Sequence, residues 1–346
     1  NIFTTSQHNT STSYLTISTS QHNNIFTTSQ HNTSTSYLTI SPSQHNNIFT
    51  TSQHHNISTS YLNTSTSQHL NIISQHLNIT TSQHQKHMIY RKLTEDEIST
   101  LQANSCWAED WQRIEVSEDF EPRFFHRVMF YGDIRLGAFT DNVEVSRGFM
   151  KHSGVNNATL RNVTIGNNCL IENISGYINN YTIGDDCIIS NVCTMETTDG
   201  ATYGEGNLIS VLNEVGEGNL ILFHGLTSQV AALMVKHFHN RPLKDTIRRL
   251  IREEIERTAP DMAAIGNRVK IVNTKEITNT VIYDDCEIAG AARLSDCTLM
   301  SNSNASVYIG TGVICENSII GDGSSIINSV KMQDCFVGEA CKLSNG

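Results

Sequence analysis

The chain has 346 residues, a net charge of −11 and a composition that is 38% hydrophobic. The balance is uneven: residues 1–87 hold ten of the fifteen His but no Gly, Ala, Val, Asp, Glu, Arg, Met, Cys or Trp, and their only Lys or Arg is Lys86. That break excludes one globular core over the whole chain, and the acidic remainder excludes a protein that neutralises nucleic-acid phosphates with clustered cations.

Residues 1–23 are repeated at 24–46 with a single change, Thr19 to Pro42, and a degraded third copy starts at Asn47. The repeat has no Gly for tight turns and only scattered apolar residues, so it reads as a disordered low-complexity tract, not a stacked solenoid. Val, Ala, Asp, Glu and Gly are the residues with codons beginning in G, and all five are missing. Translation of a G-poor DNA repeat gives that result. The expectation is that 1–87 is a spurious upstream extension and that Met88 is the true start. The recurring Ser-Gln-His triplets lack acidic or Cys partners, so no metal site is expected there.

No apolar run of about 18 residues exists, so no transmembrane helix is expected, and no signal-like segment follows Asn1 or Met88. Nine Cys are spread without a C-x-x-C pair, which points to reduced thiols in a cytoplasm.

Residues 88–124 are expected to form an N-terminal helical cap. Thr94-Glu95-Asp96-Glu97 has the form of a capping box, and the predicted helix spans 93–112. Trp107 and Trp111, at i and i+4, would then pack that helix onto the rest of the molecule; stacking on carbohydrate is the other use of such rings. Short alternating stretches over 124–155 predict irregular first coils.

From residue 155 a hexapeptide pattern sets in. Ile165-Gly166-Asn167-Asn168-Cys169-Leu170-Ile171 has an apolar anchor, a Gly, two turn residues, a small residue and another anchor. The same form starts at Ile183, Ile265, Ile309, Ile320 and Val337, with a Tyr283 variant at Ile282. Short strand, tight turn, short strand is the physical content, with Gly supplying the turn conformation and the anchors stacking inward. The chain is thus expected to be mainly β, a parallel β-helix of hexapeptide type over 125–346. Cys169, Cys187, Cys286 and Cys341 share one phase of the pattern and read as small buried residues at a corner. Asn157, Asn162, Asn173, Asn191 and Asn279 read as turn residues in left-handed backbone geometry.

Residues 226–260 break the pattern. Thr227 can cap one helix carrying Val230, Leu233, Met234 and Phe238; after Asn240-Arg241-Pro242 a second carries Ile247, Leu250, Ile251 and Ile255. A helical-hairpin insertion is expected, a common place for functional residues.

From Met88 onward the chain resembles a little-characterised bacterial family of hexapeptide-repeat proteins of unknown function. Leu93-Thr94-Glu95-Asp96-Glu97-Ile98, Lys151-His152-Ser153-Gly154, Asn162-Val163-Thr164-Ile165-Gly166, Ile171-Glu172-Asn173-Ile174, Asn180-Tyr181-Thr182-Ile183-Gly184 and Val211-Leu212-Asn213-Glu214 carry the resemblance. Some members are catalogued as glucose-1-phosphate thymidylyltransferase-like. The resemblance implies a left-handed coil and a chain that stops within it. The wider hexapeptide superfamily implies acyl transfer from acyl-CoA to a sugar or nucleotide sugar, a His general base, and in many cases a homotrimer. On that expectation His152 and Glu214 are the catalytic candidates, while Asn180, Tyr181, Asn213, His237 and His239 are substrate-binding candidates; His126 and His224 are further His residues to place. Acyl-CoA is the one cofactor implied, and neither nucleic acid nor membrane is an expected partner. One alternative is a non-catalytic binding or scaffold protein. Another is the β-helix portion of a sugar-1-phosphate nucleotidyltransferase-like protein, whose Gly-rich phosphate loop this chain lacks. A three-His metal hydro-lyase is disfavoured by the five His left after residue 87.

Overall fold

The computed structural model describes residues 2–7, 14–17, 25–30, 37–40, 48–52, 89–210, 219–236, 239–260 and 262–346. The chain divides into two compact units, Asn1–Ile79 and Thr80–Gly346. In the first, strands Ile2–Gln7, Ile25–Gln30 and Ile48–Ser52 pair in parallel, and so do Tyr14–Ile17 and Tyr37–Ile40. Each residue sits opposite its counterpart in the next copy of the repeat. The disorder expected for the rest of this tract lies outside the described residues.

The second unit is mainly β, with three α-helices among the described residues. Its strands pair in parallel along three ladders. On the first, Leu170–Glu172 pairs with Ile188–Ser190, which pairs with Lys270–Val272, and the series continues to Lys342–Ser344. The second runs through Phe130, Leu160, Ile178, Met195, Ile277, Leu294, Cys315 and Met332. The third runs through Leu136, Ile165, Ile183, Ile265, Ile282, Leu299, Ile320 and Val337. The second- and third-ladder residues are buried and, with Ile171, Ile189, Ile271, Ile288, Ile309 and Ile326 of the first, form one continuous core. Like stacks on like because each strand offers the next the same pocket, and the fully buried members remove whole aliphatic side chains from water, each worth about 1.5–3 kcal/mol.

The anchor spacing is uneven on either side of Ile309 for a simple reason: that anchor lies on a different ladder from its neighbours in the pattern. Ile309 belongs to the first ladder, opposite Ile288 and Ile326. Ile282, Leu299, Ile320 and Val337 follow one another on the third.

The turn chemistry is divided differently from the expectation. Gly166, Gly184 and Gly266 are not in the left-handed region; the residues two positions later, Asn168, Asp186 and Arg268, have φ of 53°, 58° and 55°. What requires Gly is close approach. A Cβ on Gly166 would lie 2.7 Å from the Gly184 backbone, and one on Gly184 would lie 2.7 Å from the Gly266 backbone. The carbonyls of Gly184 and Gly266 also accept from the Cys169 and Cys187 thiols at 3.0 Å. Beside them runs a ladder of side chains: Asn167 N–H donates to Asp185, Asp185 N–H to Asn267, and Asn267 N–H to Asp284, at 2.7–2.8 Å. Asn157, Asn162, Asn173, Asn191 and Asn279 all have φ between 48° and 57°, as their turn role requires.

Helix α1 (Glu95–Ala103) begins at the capping box: Thr94 N–H donates to Glu97 at 2.8 Å, and Glu97 N–H donates to the Thr94 hydroxyl at 3.3 Å. Arg91 adds two bonds to the same carboxylate, 2.8 and 2.9 Å, and with them holds the Glu97 carboxyl below its usual range. The helix stops before the tryptophans. Ser105 turns the chain at φ 63°, and Trp107 and Ala108 then pair in parallel with Met129 and Phe130. Their backbone groups are spent on the sheet, so Trp107 and Trp111 share no helix. The expected irregular coils over 124–155 are a 12-residue strand, Phe125–Leu136, and a hairpin, Asn142–Ser146 with Phe149–His152.

The described residues between Glu196 and Ala263 leave the ladders. Thr202 N–H donates to Asp296 at 3.1 Å, and the Thr298 hydroxyl donates to the Tyr203 carbonyl at 2.8 Å, so the departing chain lies against later strands. Strands Leu208–Ser210 and Asn219–Ile221 then form an antiparallel pair. Helices α2 (Ser228–Lys236) and α3 (Arg241–Thr258) follow. Thr227 accepts from Val230 N–H at 3.3 Å, and Asn240 accepts from Leu243 N–H at 3.3 Å, with Pro242 in the first turn of α3. No helix among the described residues is long and apolar enough to cross a membrane.

Candidate functional site

His152 ends the second strand of the hairpin, opposite Asn142. The hairpin is pinned by Val143, which packs on Leu170 and Ile188, and by Lys270, whose ammonium donates to the Val145 carbonyl at 2.8 Å. The His152 ring is half-buried and stacks on Phe124, with centroids 3.5 Å apart and planes 12° from parallel. Gly154 permits this approach, since a Cβ there would meet the Phe124 carbonyl oxygen at 2.4 Å. The Arg123 guanidinium lies 4.7 Å from the same Phe124 ring.

The His152 Nδ1 lies 2.8 Å from the Ser153 carbonyl oxygen. A carbonyl only accepts, so Nδ1 carries the hydrogen and a neutral ring keeps its lone pair on Nε2. That is the tautomer a general base needs. Beside it Lys151 is ion-paired to Glu172, whose other oxygen accepts from Ser190 at 3.3 Å.

His224 presents the opposite case. It lies buried after strand Asn219–Ile221, with Phe223 edge-on to it. Its Nδ1 is 2.8 Å from Glu205, and its Nε2 is 3.5 Å from Glu254 of α3. Arg257 holds Glu254 in turn, at 2.6 Å. Burial alone would lower the His224 pKa; the hydrogen bond and charge of Glu205, with the charge of Glu254, outweigh it and hold the imidazole above its usual value. With a carboxylate beside each nitrogen, the charged form of the ring is favoured more than in a free imidazole. The carboxylates face opposite ring edges, and among the described residues no group of three or more His, Cys, Asp and Glu is arranged to hold a metal.

The remaining candidates do not gather at His152. The Asn180 side chain accepts from Asn162 at 3.1 Å and donates to the Thr197 carbonyl at 3.0 Å, so it belongs to a corner stack. Tyr181, expected to line a substrate face, is fully buried in the core instead. Its hydroxyl donates to the Thr280 carbonyl at 3.1 Å and accepts from the Thr280 N–H at 3.3 Å, and burial pushes its phenol pKa up. Tyr181→Phe is expected to lower the unfolding free energy by about 1–2 kcal/mol, by stranding both Thr280 groups; a urea melt reads it, and an unshifted midpoint would contradict the buried bridge. His126 and His239 are exposed. Asn213, Glu214 and His237 lie outside the described residues.

Glu205 and Glu254 were not among the expected site residues. Glu254 had a signal: it stands at helical spacing from Ile247 and Ile251, the two buried positions of α3, so a carboxylate falls on the apolar stripe. Glu205 lies in an aperiodic loop that carries none.

Residues 90–346 match the family described as Domain of unknown function (DUF4954). A protein of Treponema pallidum (strain Nichols), called only "Uncharacterized protein", is 24% identical over 248 residues, covering 68% of this chain and 34% of its own length. The chain therefore spans about a third of that relative. Since the match takes in α1, all three ladders and the excursion that carries His224, the chain belongs to the DUF4954 family.

Proposed function

We propose that residues 125–346 form a left-handed parallel β-helix of the hexapeptide type and that the protein is a cytoplasmic transferase moving an acyl group from acyl-CoA to a sugar or nucleotide sugar. The coil reading is supported by the three parallel ladders and by the even recurrence of their anchors where nothing intervenes, as from Ile165 to Ile183 and from Ile265 to Ile282 to Leu299. The cytoplasmic reading is supported by nine free thiols. The transferase reading is carried by one observation, the His152 ring with Nδ1 tied to the Ser153 carbonyl and Nε2 left as a base. In this reading Nε2 takes the proton of the acceptor hydroxyl or amine as it attacks the thioester carbonyl, the C–S bond breaks, and the proton passes to the leaving thiolate. Phe124 fixes the ring plane.

A second reading, a non-catalytic binding scaffold, is favoured by the corner amides: Asn180 is committed to Asn162 and Thr197 and offers little to a ligand. Calorimetric titration of the chain with acetyl-CoA and longer acyl-CoAs, followed by a free-thiol assay with amino sugars and nucleotide sugars, separates the two. Transfer is expected, and His152→Ala should cut turnover about a hundredfold with acyl-CoA affinity unchanged. Failure of every acyl-CoA to bind would leave the scaffold.

A further inference from the structure

On the second ladder the residues beside the inward anchors point outward, and over the first strands that outer face is aromatic. Trp107, Met129, Thr159 and Tyr177 stand in register on successive strands, Trp107 opposite Met129 and Met129 opposite Thr159. Trp107 and Met129 are each 50% exposed and Tyr177 38%. The next outward row is Tyr131, Arg161, Asn179 and Glu196. Trp107 and Tyr131 meet at 5.3 Å between centroids, tilted by 56°. Tyr177 donates its hydroxyl to Glu196 at 3.0 Å, which fixes its ring.

The polar members are the second observation. Asn179 is only 8% exposed, and its amide oxygen has no hydrogen-bond partner. It sits in register between Arg161 and Glu196. A buried acceptor left open costs about 1–3 kcal/mol unless a donor reaches it. Arg161 is exposed and makes no ion pair among the described residues. The row holds one cation and one anion, so the face favours a ligand without net charge.

We propose that this face binds a neutral oligosaccharide, laid along the row from Trp107 to Tyr177. Strands about 4.8 Å apart put these ends about 14 Å apart, room for roughly three pyranose units. A pyranose presents polarised C–H bonds on its faces and hydroxyls at its edges. The C–H faces suit the electron-rich faces of Trp107 and Tyr177. The hydroxyls suit the Arg161 donors and Glu196, between which Asn179 stands in register. An apolar protein partner would leave the Arg161 charge unmatched, and a nucleic acid would meet Glu196. The proposal is independent of the His152 reading, and its test uses no acyl donor.

Calorimetric titration of the full chain with cellohexaose, maltohexaose, chitohexaose and xylohexaose tests it. Saturable binding of at least one is expected, lost in Trp107→Ala and weakened about tenfold in Tyr177→Ala. Should Trp107→Ala not fold, Arg161→Ala with Tyr177→Ala keeps the test, since both side chains are on the surface. No heat with any of the four sugars overturns the proposal. So does unchanged binding in the folded variants, or a sedimenting dimer that Tyr177→Ala dissociates, which would give the face to a second copy of the chain.

Discussion

Replacing His224 by Ala is expected to lower the unfolding free energy by about 3–5 kcal/mol, the usual penalty for deleting one partner of a buried ionic group. The geometry sets the size. Glu205 and Glu254 approach the ring from two segments, a loop that lies along later strands and helix α3, and the ring whose charged form they favour lies between them. Without it Arg257 still holds Glu254, but the nearly buried Glu205 loses its only ion pair among the described residues. A urea or guanidinium midpoint reads the loss, and limited proteolysis should show cleavage near α3 appearing first. His224→Gln, which keeps a donor but no charge, should recover only part of it. A change below about 1 kcal/mol would mean that the trio does not hold the excursion in place.

The same centre fixes a pH dependence. The folded His224 pKa lies above that of an unfolded His, about 6.5. Its contribution is therefore complete below that value and is lost as pH rises through the folded pKa. The groups that face it are Glu205 and Glu254, with Arg257 behind the latter. Tyr283, whose phenol is pushed up by burial and then by the Glu205 and Asp322 charges, stays neutral throughout. The parent protein should lose stability as pH rises from about 6.5 through the folded His224 pKa, and His224→Ala should flatten that slope.

Gly184→Val is expected to cost about 3 kcal/mol, the upper end of overpacking penalties. Its Cβ alone would stand 2.7 Å from the Gly266 carbonyl group and 2.7 Å from the Asn267 side-chain oxygen. Neither can yield: the Gly266 carbonyl accepts from the Cys187 thiol, and the Asn267 oxygen accepts from Asp185 N–H. Gly148→Val is the control, since no atom lies within 4 Å of a Cβ there and only its positive φ opposes the change. The control should cost clearly less in the same melt. Equal losses would contradict crowding as the reason for Gly184.

The anchors were legible because the fold repeats in space what the sequence repeats along the chain: Ile165, Ile183 and Ile265 recur and stack. The Asn turns were legible for a local reason, since few other side chains accept a left-handed backbone. Gly184 was located but misread, because crowding and positive φ both select glycine and the letter does not say which. The Trp107–Trp111 spacing was misread because a strand followed by a 3-10 turn also places rings at i and i+4. Tyr181, a substrate-binding candidate by resemblance, lies inward because Asn180, at φ 55°, turns the corner and resets the period, so Ile178 and Tyr181 both face the core. For the site, His152 was visible as one His in a short motif, but its tautomer depends on a carbonyl that no pattern reveals. The His224 trio needed Glu205 brought from a loop before the ring and Glu254 from a helix well after it, a meeting that no local pattern encodes.

Strand Tyr177–Ile183 pairs on the third ladder with Ala263–Ile265, after the whole excursion has intervened, in the same register as if nothing stood between them. The closing of so long an excursion is set by its two ends, and its entropic cost rises only logarithmically, by about 0.6 kcal/mol for each doubling of length. Lineages can therefore lengthen, shorten or replace the segment that carries His224 without renegotiating the stack beneath it. The stack acts as a fixed chassis, and evolution acts on the exchangeable part.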